Sequence, residues 1–485
     1  MSDHRYEASR AVTPYFYRAP FPETSNGDVP SEYQHAAAEY ILAREHGLIG
    51  DAPGVGKTLE AVLVSNALEA KRTLVVCPAS LRLNWEKEIW KWSTIPDVST
   101  YPILKGSDGV SFKHDYVITS YDLLRNTGIQ AGIMDQMWDH VILDEAHALK
   151  DPKGNQRTKV ICAPDMLPSV TGRFTMLSGT IMPNQPIEVY NAARLLDFDS
   201  IDGMSLNSFR QYYYEEGEGF IRNTKYNAKT KLFESKTVWS DRVRNVPRNM
   251  KDLNRRMRGN FMVRRLKEQV LHELPEQNWH LFPMDTSVGI RQALRHPGWA
   301  QAEQLYEMDP DAYVAATVID GEVSTAHREL GEAKAPHVVA YIRELLASGV
   351  TKIVVGAWHH SVLDYMRAEL QEYGLVYMDG RTSTGKKQAA VDDFQERDEV
   401  QIILGQIISL GEGWTLTAAQ DCVIGELYWV GGKLQQFFDR ISRRGQTGAY
   451  TTGHVPVIPD SLEERMFNRV ITKEVVIHEA LDGAG

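Results

Sequence analysis

From residue 46 onward the chain keeps returning to one pattern, a short and almost uninterrupted apolar run followed by a polar or helix-patterned stretch. TLVVCP begins at Thr73, DYVITS at Asp115, HVILDEAH at His140 and RFTMLSGT at Arg173. After a long interval the pattern resumes with KIVVGAW at Lys352, LVYMDG at Leu375, VQIILG at Val400 and DCVIGEL at Asp421. Runs this short and this apolar are strands covered on both faces, and the stretches between them, such as SLRLNWEKEIWKW at Ser80, are the covering helices. The expected fold class is α/β, with two parallel-sheet lobes.

The first lobe is expected over residues 31–196 and the second over 336–485. Between them, Asp197 to Gln277 carries aromatic and basic sequence without clear strands, including FRQYYYEEGEGF, and reads as a helical protrusion of the first lobe over 197–285. A linker or second helical protrusion follows over 286–335. Residues 1–30 hold Pro14, Pro20, Pro22 and Pro30 around Tyr15, Phe16 and Tyr17, and read as an extended arm docked by its aromatics.

Ligands of open parallel sheets bind at the carboxyl ends of the strands, so the residues just after each apolar run bear on function. The stretch Gly47–Thr58, GLIGDAPGVGKT, has the parts of a phosphate-binding loop. Gly54 and Gly56 let backbone N–H groups approach phosphates, Lys57 reaches the outer phosphoryl oxygens, and Thr58 offers a hydroxyl to magnesium. Asp51 stands where the usual spacing has a glycine. Taken alone, the segment also reads as a glycine turn opening an ordinary helix. Gln34, on the preceding helix, can read an adenine edge with its amide, although most helix glutamines are merely solvated.

After VIL come Asp144 and Glu145, an aspartate able to hold magnesium through water and a glutamate able to orient the attacking water. The plain alternative is a charge pair at a helix start. Ser178, Gly179 and Thr180 follow the next strand, small and hydroxyl-bearing residues able to link the magnesium site to a neighbouring domain, and read equally as a simple turn. In the second lobe Gln436, Arg440 and Arg443 share one helical face or its end. Arginines there can neutralise charge on a transferred phosphoryl group when the lobes close, or can form a surface salt-bridge cluster.

The formal net charge is −11, which at face value disfavours a polyanionic partner. Locally the balance reverses: Asp241 to Val270 holds ten Lys or Arg against three acids. No apolar run is long enough to span a bilayer, and MSDHRYEASR lacks the order of a signal peptide, so an intracellular protein is expected. Cys77, Cys162 and Cys422 lie far apart, without metal-ligand or disulfide spacing.

Taken together, DAPGVGKT at Asp51, VVCPASLRLNWEKE at Val75, DYVITSYDLL at Asp115, VILDEAHALKD at Val141, LSGT at Leu177, MVRRLKEQVLHELP at Met262, DGRTS at Asp379, GEGWTLTAA at Gly411 and DRISRRGQ at Asp439 resemble the Swi/Snf-like DNA translocases of helicase superfamily two. In that family an aspartate at position 51 is the expected residue. The resemblance implies two RecA-like lobes with helical protrusions, ATP and magnesium in the cleft, and duplex or forked DNA gripped across both lobes. It assigns Gln34 and Gln436 to the nucleotide, along with Asp51, Gly54, Gly56, Lys57 and Thr58. It assigns Thr58 and Asp144 to magnesium, Glu145 to water, and Arg440 and Arg443 to catalysis across the cleft. Ser80, Thr119 and Thr415 are expected to hold DNA phosphates, with Arg264, Arg265 and Lys267 adding charge.

WTLTAA followed by VIGELYWVGG looks most like the annealing-helicase-like subgroup. Gly431, Ser442, Arg444 and Lys387 depart from its usual pattern. A DNA-stimulated ATPase acting as a monomer is expected, from a bacterial or viral source. The rival readings are a superfamily-two RNA or single-strand helicase and a non-hydrolysing DNA-binding scaffold.

Overall fold

The computed structural model describes residues 2–24, 27–152, 155–179, 181–182, 185–227, 232–271, 275–308, 321–411, 413–427, 431–443, 445–467 and 481. Thr180 and Arg444 lie outside the described residues.

Strands β1 (His46–Ile49), β2 (Thr73–Cys77), β3 (Thr100–Pro102), β4 (Tyr116–Ser120), β5 (His140–Asp144) and β6 (Phe174–Leu177) arise from the apolar runs of the first lobe. An antiparallel hairpin follows, β7 (Tyr214–Asn227) with β8 (Leu232–Pro247), and then the short β9 (Met262–Val263). The first sheet is parallel throughout, in the order β3-β4-β2-β5-β6-β1-β9. Every residue of β2, β4 and β5 is buried. Successive side chains serve opposite layers: Leu74 and Val76 enter one core, while Val75 and Cys77 enter the other.

The second sheet is also parallel. It contains β10 (Glu276–Pro283), β11 (Ile353–Ala357), β12 (Leu375–Met378), β13 (Ile402–Gln406), β14 (Asp421–Ile424) and β15 (Tyr450–Val457), in the order β10-β15-β14-β11-β13-β12. The two expected parallel-sheet lobes are thus present, each with helices on both faces.

Three expectations fail between the lobes. Residues 214–247 form a long hairpin where helical sequence was expected, with Phe220 in register with Trp239 and Tyr226 with Phe233. Aromatic and β-branched residues suit a pleated surface better than a helix, and here that preference prevails over the dense charge that hides the alternation. Residues 276–283, expected in the first lobe's protrusion, pair with β15 along their whole length. The chain therefore crosses between sheets at residues 264–275, upstream of the expected linker.

The third difference is the helix Gly321–Ala347, which runs straight through Pro336. Proline removes a helix hydrogen bond, so a helix start at Pro336 is the local expectation. Burial of Val323, Ala326, Leu330, Val338, Val339 and Ile342 along one face outweighs that loss.

This helix is fastened by a buried ion pair. Lys334, 1% exposed, donates to the Glu463 carboxylate at 2.8 and 3.0 Å and to the Pro456 carbonyl of β15 at 2.9 Å. At the other end of the chain, Leu481 returns to the first lobe. Its side chain joins that lobe's core, and its carbonyl accepts from Arg258 Nε at 3.1 Å. The second lobe was expected to run through residue 485; Leu481 belongs to the first.

Removing one partner of a buried pair strands the other charge. Glu463→Ala should destabilise the protein by about 3–5 kcal/mol in denaturant unfolding. Lys334→Met with Glu463→Leu should recover most of that loss, and a single variant within ~1 kcal/mol of wild type would contradict this account of the pair.

Candidate nucleotide-binding cleft

The strand ends of both sheets face one cleft of about 480 Å³. From the first lobe it is lined by Gln34, Gly54, Gly56, Lys57, Thr58, Asp144 and Glu145, and from the second by Thr415, Gln436, Arg440 and Arg443. Residues almost four hundred positions apart in sequence thus meet in one place.

The loop after β1 delivers Lys57 as the first residue of helix Lys57–Ala67, whose N-terminus opens on the cleft. Exposed N–H groups and the helix dipole make such a terminus an anion site. Two glycines are required by the geometry. Gly56 has φ 105°, and an added Cβ would lie 2.5 Å from Gln34 Nε2. Gly54 has φ 86°, and its Cβ would lie 3.0 Å from Arg443 Cγ of the other lobe. Lys57 Nζ donates to the carbonyls of Asp51 at 2.9 Å and Ala52 at 3.2 Å, and burial lowers its pKa.

Asp144 ends β5 and is 8% exposed. Its Oδ2 accepts from Trp85 Nε1 at 2.8 Å, and its Oδ1 accepts from the Glu145 N–H at 2.8 Å. Burial and the adjacent Glu145 charge raise its pKa. Glu145 adopts a left-handed φ of 50° and approaches His147 Nδ1 at 3.0 Å. Burial pushes its carboxyl up, but the close approach of His147 and the positive charges of Lys57 and Arg440 outweigh it and hold the pKa below the usual range. The two neighbouring carboxyls are therefore driven apart in acidity.

Gln34 caps its own helix. Its Oε1 accepts from the Ser31 N–H at 2.9 Å, while Nε2 points to the Val55 carbonyl at 3.5 Å, so its amide stands over the loop. Across the cleft, Arg440 Nε donates to the Gln436 carbonyl at 2.9 Å and Arg443 Nε to the Asp439 carbonyl at 3.2 Å. Thr415, expected on DNA, is exposed and lines this cleft instead.

Sequence reasoning missed several residues here. Trp85 reads as a core aromatic on an amphipathic helix, and only its ring N–H, which needs an acceptor when buried, could have signalled the Asp144 contact. Asn84, Glu88 and Lys91 of the same helix also line the cleft, and Lys91 pairs with Asp28 at 2.5 Å across the rim.

The expected DNA contacts fare differently. Arg265 is wholly buried. Its N–H and Nε donate to Asp51 Oδ1 at 2.9 and 3.1 Å, and its Nη2 pairs with Asp51 Oδ2 and with Glu60 Oε1. Arg264, 4% exposed, donates to the carbonyls of Gly50 at 2.7 Å and Gly179 at 3.0 Å. Lys267 pairs with Asp439 at 2.5 Å. Arg264 and Arg265 are consumed inside the protein, because buried charge must be paired where it sits, and Lys267 keeps only a small part of its side chain exposed. Asp51, expected on the nucleotide, is likewise fully buried under the loop.

Thr119 is also fully buried within β4, with its Oγ1 lacking a hydrogen-bond partner in the fold. Ser80 differs. It lines a second cleft of about 340 Å³, together with Trp358, Thr382, Thr384, Lys387 and Gln406 of the other lobe.

Arg265→Met would leave Asp51 and Glu60 as buried carboxyls without a cation. It should cost about 3–5 kcal/mol in denaturant unfolding, with or without DNA. A surface DNA contact would instead leave stability unchanged.

The DNA annealing helicase and endonuclease ZRANB3 of Bos taurus is 26% identical over 465 residues, covering 93% of this chain and 40% of that protein. The SWI/SNF-related matrix-associated actin-dependent regulator of chromatin subfamily A-like protein 1 of Xenopus tropicalis is 26% identical over 478 residues, covering 96% of this chain and 47% of that protein. The chain spans less than half the length of these relatives. They are animal proteins, and lend no support to the bacterial or viral source expected from the sequence. The Sulfolobus solfataricus SWI2/SNF2 ATPase core in complex with dsDNA matches with a TM-score of 0.43 and 18% identity, over 96% of each chain. The SNF2-related domain family matches residues 33–316, more than half of the chain. The chain belongs to the SNF2-related family.

Proposed function

We propose that this chain is a magnesium-dependent ATPase, stimulated by duplex or forked DNA, that moves along the duplex. The observation that carries this reading is the single cleft into which the first lobe sends Lys57, Thr58, Asp144 and Glu145 while the second sends Arg440 and Arg443.

The donor set fits the nucleotide and its metal. A lysine, a helix N-terminus and glycines with no room for a Cβ suit a polyphosphate, and a hydroxyl with an adjacent carboxylate suits a hard cation. Thr58 and Asp144 would hold magnesium, which supplies charge neutralisation on the phosphates. Trp85 keeps one Asp144 oxygen in place. Glu145, held ionised by His147, Lys57 and Arg440, orients the attacking water. Arg440 and Arg443 face the phosphoryl group from the far side, so hydrolysis requires both lobes. Gln34 and Gln436 form the walls nearest the rest of the nucleotide, with Gln34 presenting its amide to the base.

For DNA, the second cleft supports a backbone grip. Thr382, Thr384 and Gln406 line it from the second lobe, while Ser80 and Lys387 sit buried in its wall, Lys387 Nζ donating to Ser409 Oγ at 3.3 Å. Such groups hold sugar and phosphate without reading sequence. Cycles of closure and opening at the nucleotide cleft would then shift one lobe relative to the other along the strand. The names of the relatives favour annealing or remodelling of DNA as the outcome.

ATP turnover should rise with duplex or forked DNA, and Lys57→Ala should lower it by at least ~10²-fold. With this cleft as the grip, DNA affinity should fall only weakly as salt increases, since counterion release scales with the number of cations set against phosphates. Stimulation by RNA or single strands alone would move the protein to the rival helicase reading. No stimulation by any nucleic acid would end the translocase reading.

A further inference from the structure

The crossing between the two sheets begins with Arg264, Arg265, Leu266 and Lys267, directly after β9. Each charged residue of this segment grips a different part of the cleft. Arg264 holds the carbonyls after β1 and β6, at Gly50 and Gly179. Arg265 holds Asp51 of the phosphate loop and Glu60 of the following helix, and its own carbonyl accepts from the Ala52 N–H at 3.0 Å. Two residues later, Lys267 reaches into the second lobe.

That contact is specific. Lys267 Nζ donates to Asp439 Oδ1 at 2.5 Å and to the Ser442 carbonyl at 3.2 Å. Asp439 immediately precedes Arg440, and Ser442 immediately precedes Arg443. One ammonium therefore fastens both ends of the turn that carries the two arginines. Asp439, 1% exposed, is further fixed by Gln435 at 3.0 Å and Gln277 at 3.2 Å, and its carbonyl accepts from Arg443 Nε. The arginine turn then packs against Gly54 of the phosphate loop.

We infer that Lys267 is a positioning residue for Arg440 and Arg443, and that segment 264–267 sets the distance between the phosphate loop and those arginines. The inference rests on the ATPase reading of the cleft. Arg265 fixes the segment to the loop, Lys267 fixes the arginine turn to the segment, and only Leu266 separates them. A connection this short leaves little slack in the spacing. Misplacing a reacting group by about 1 Å can cost 10²-fold in rate, so the effect belongs on turnover more than on substrate binding.

The test compares wild type, Lys267→Ala, Arg443→Ala and the double variant by DNA-stimulated ATP turnover. Lys267→Ala should lower kcat at least tenfold with KM for ATP within threefold, and it should lose no more than Arg443→Ala when the two are combined, because both act through one group. Small-angle X-ray scattering without nucleotide should show a larger radius of gyration for Lys267→Ala than for wild type. Lys267→Met, which keeps the length of the side chain but has no donor, replaces the alanine variant under the same thresholds if the latter melts early. Turnover within threefold of wild type, or losses that multiply in the double variant, would overturn the inference while the ATPase reading stands. A wild-type protein inert toward ATP would defeat both.

Discussion

The buried ion group of Arg265, Asp51 and Glu60 is the interaction on which the cleft depends. Three ionisable side chains without solvent contact are costly unless their charges cancel. Here burial and the adjacent Asp51 push the Glu60 carboxyl well above its usual range, and the Arg265 guanidinium pulls it back down. Asp51 begins the turn of the phosphate loop, Glu60 lies on the helix that follows, and Arg265 begins the passage to the other lobe. Their mutual neutralisation brings three distant stretches of chain to one point beneath the loop.

This arrangement takes three of the ten cations in the basic stretch 241–270 away from its surface. Arg264, Arg265 and Lys267 are turned inward, where they hold carbonyls and carboxylates, while Arg248, Lys251 and Arg255 of the same stretch stay exposed. At the junction of the lobes the second cleft is lined chiefly by neutral polar groups.

Much of this was legible in the sequence. Fully buried parallel strands must be apolar at every position, a local property, so the strand runs and the two sheets could be read directly. Lys57, Asp144 and Glu145 could be singled out by their places at strand ends and a helix start, and Arg440 and Arg443, just past the end of a helix, by their spacing; all five line one cleft. Arg265 was not, since a sequence records charge but not burial, and its partners Asp51 and Glu60 lie more than two hundred positions away. Trp85 was hidden for a related reason: its apolar ring places it in the core, and nothing local announces that its N–H will orient a carboxylate. The hairpin escaped because charges interrupt its alternation, and Pro336 misled because the helix is held by its packing in spite of local propensity.

Leu481 adds a consequence for folding. The chain leaves the first lobe at residues 264–275, builds the second, and by Leu481 is back in the first lobe's core. The first lobe's core is thus completed by a residue that lies beyond the whole second lobe in sequence. That core can reach its final packing only after the second lobe has been made, so the two lobes are tied together in the order of their folding.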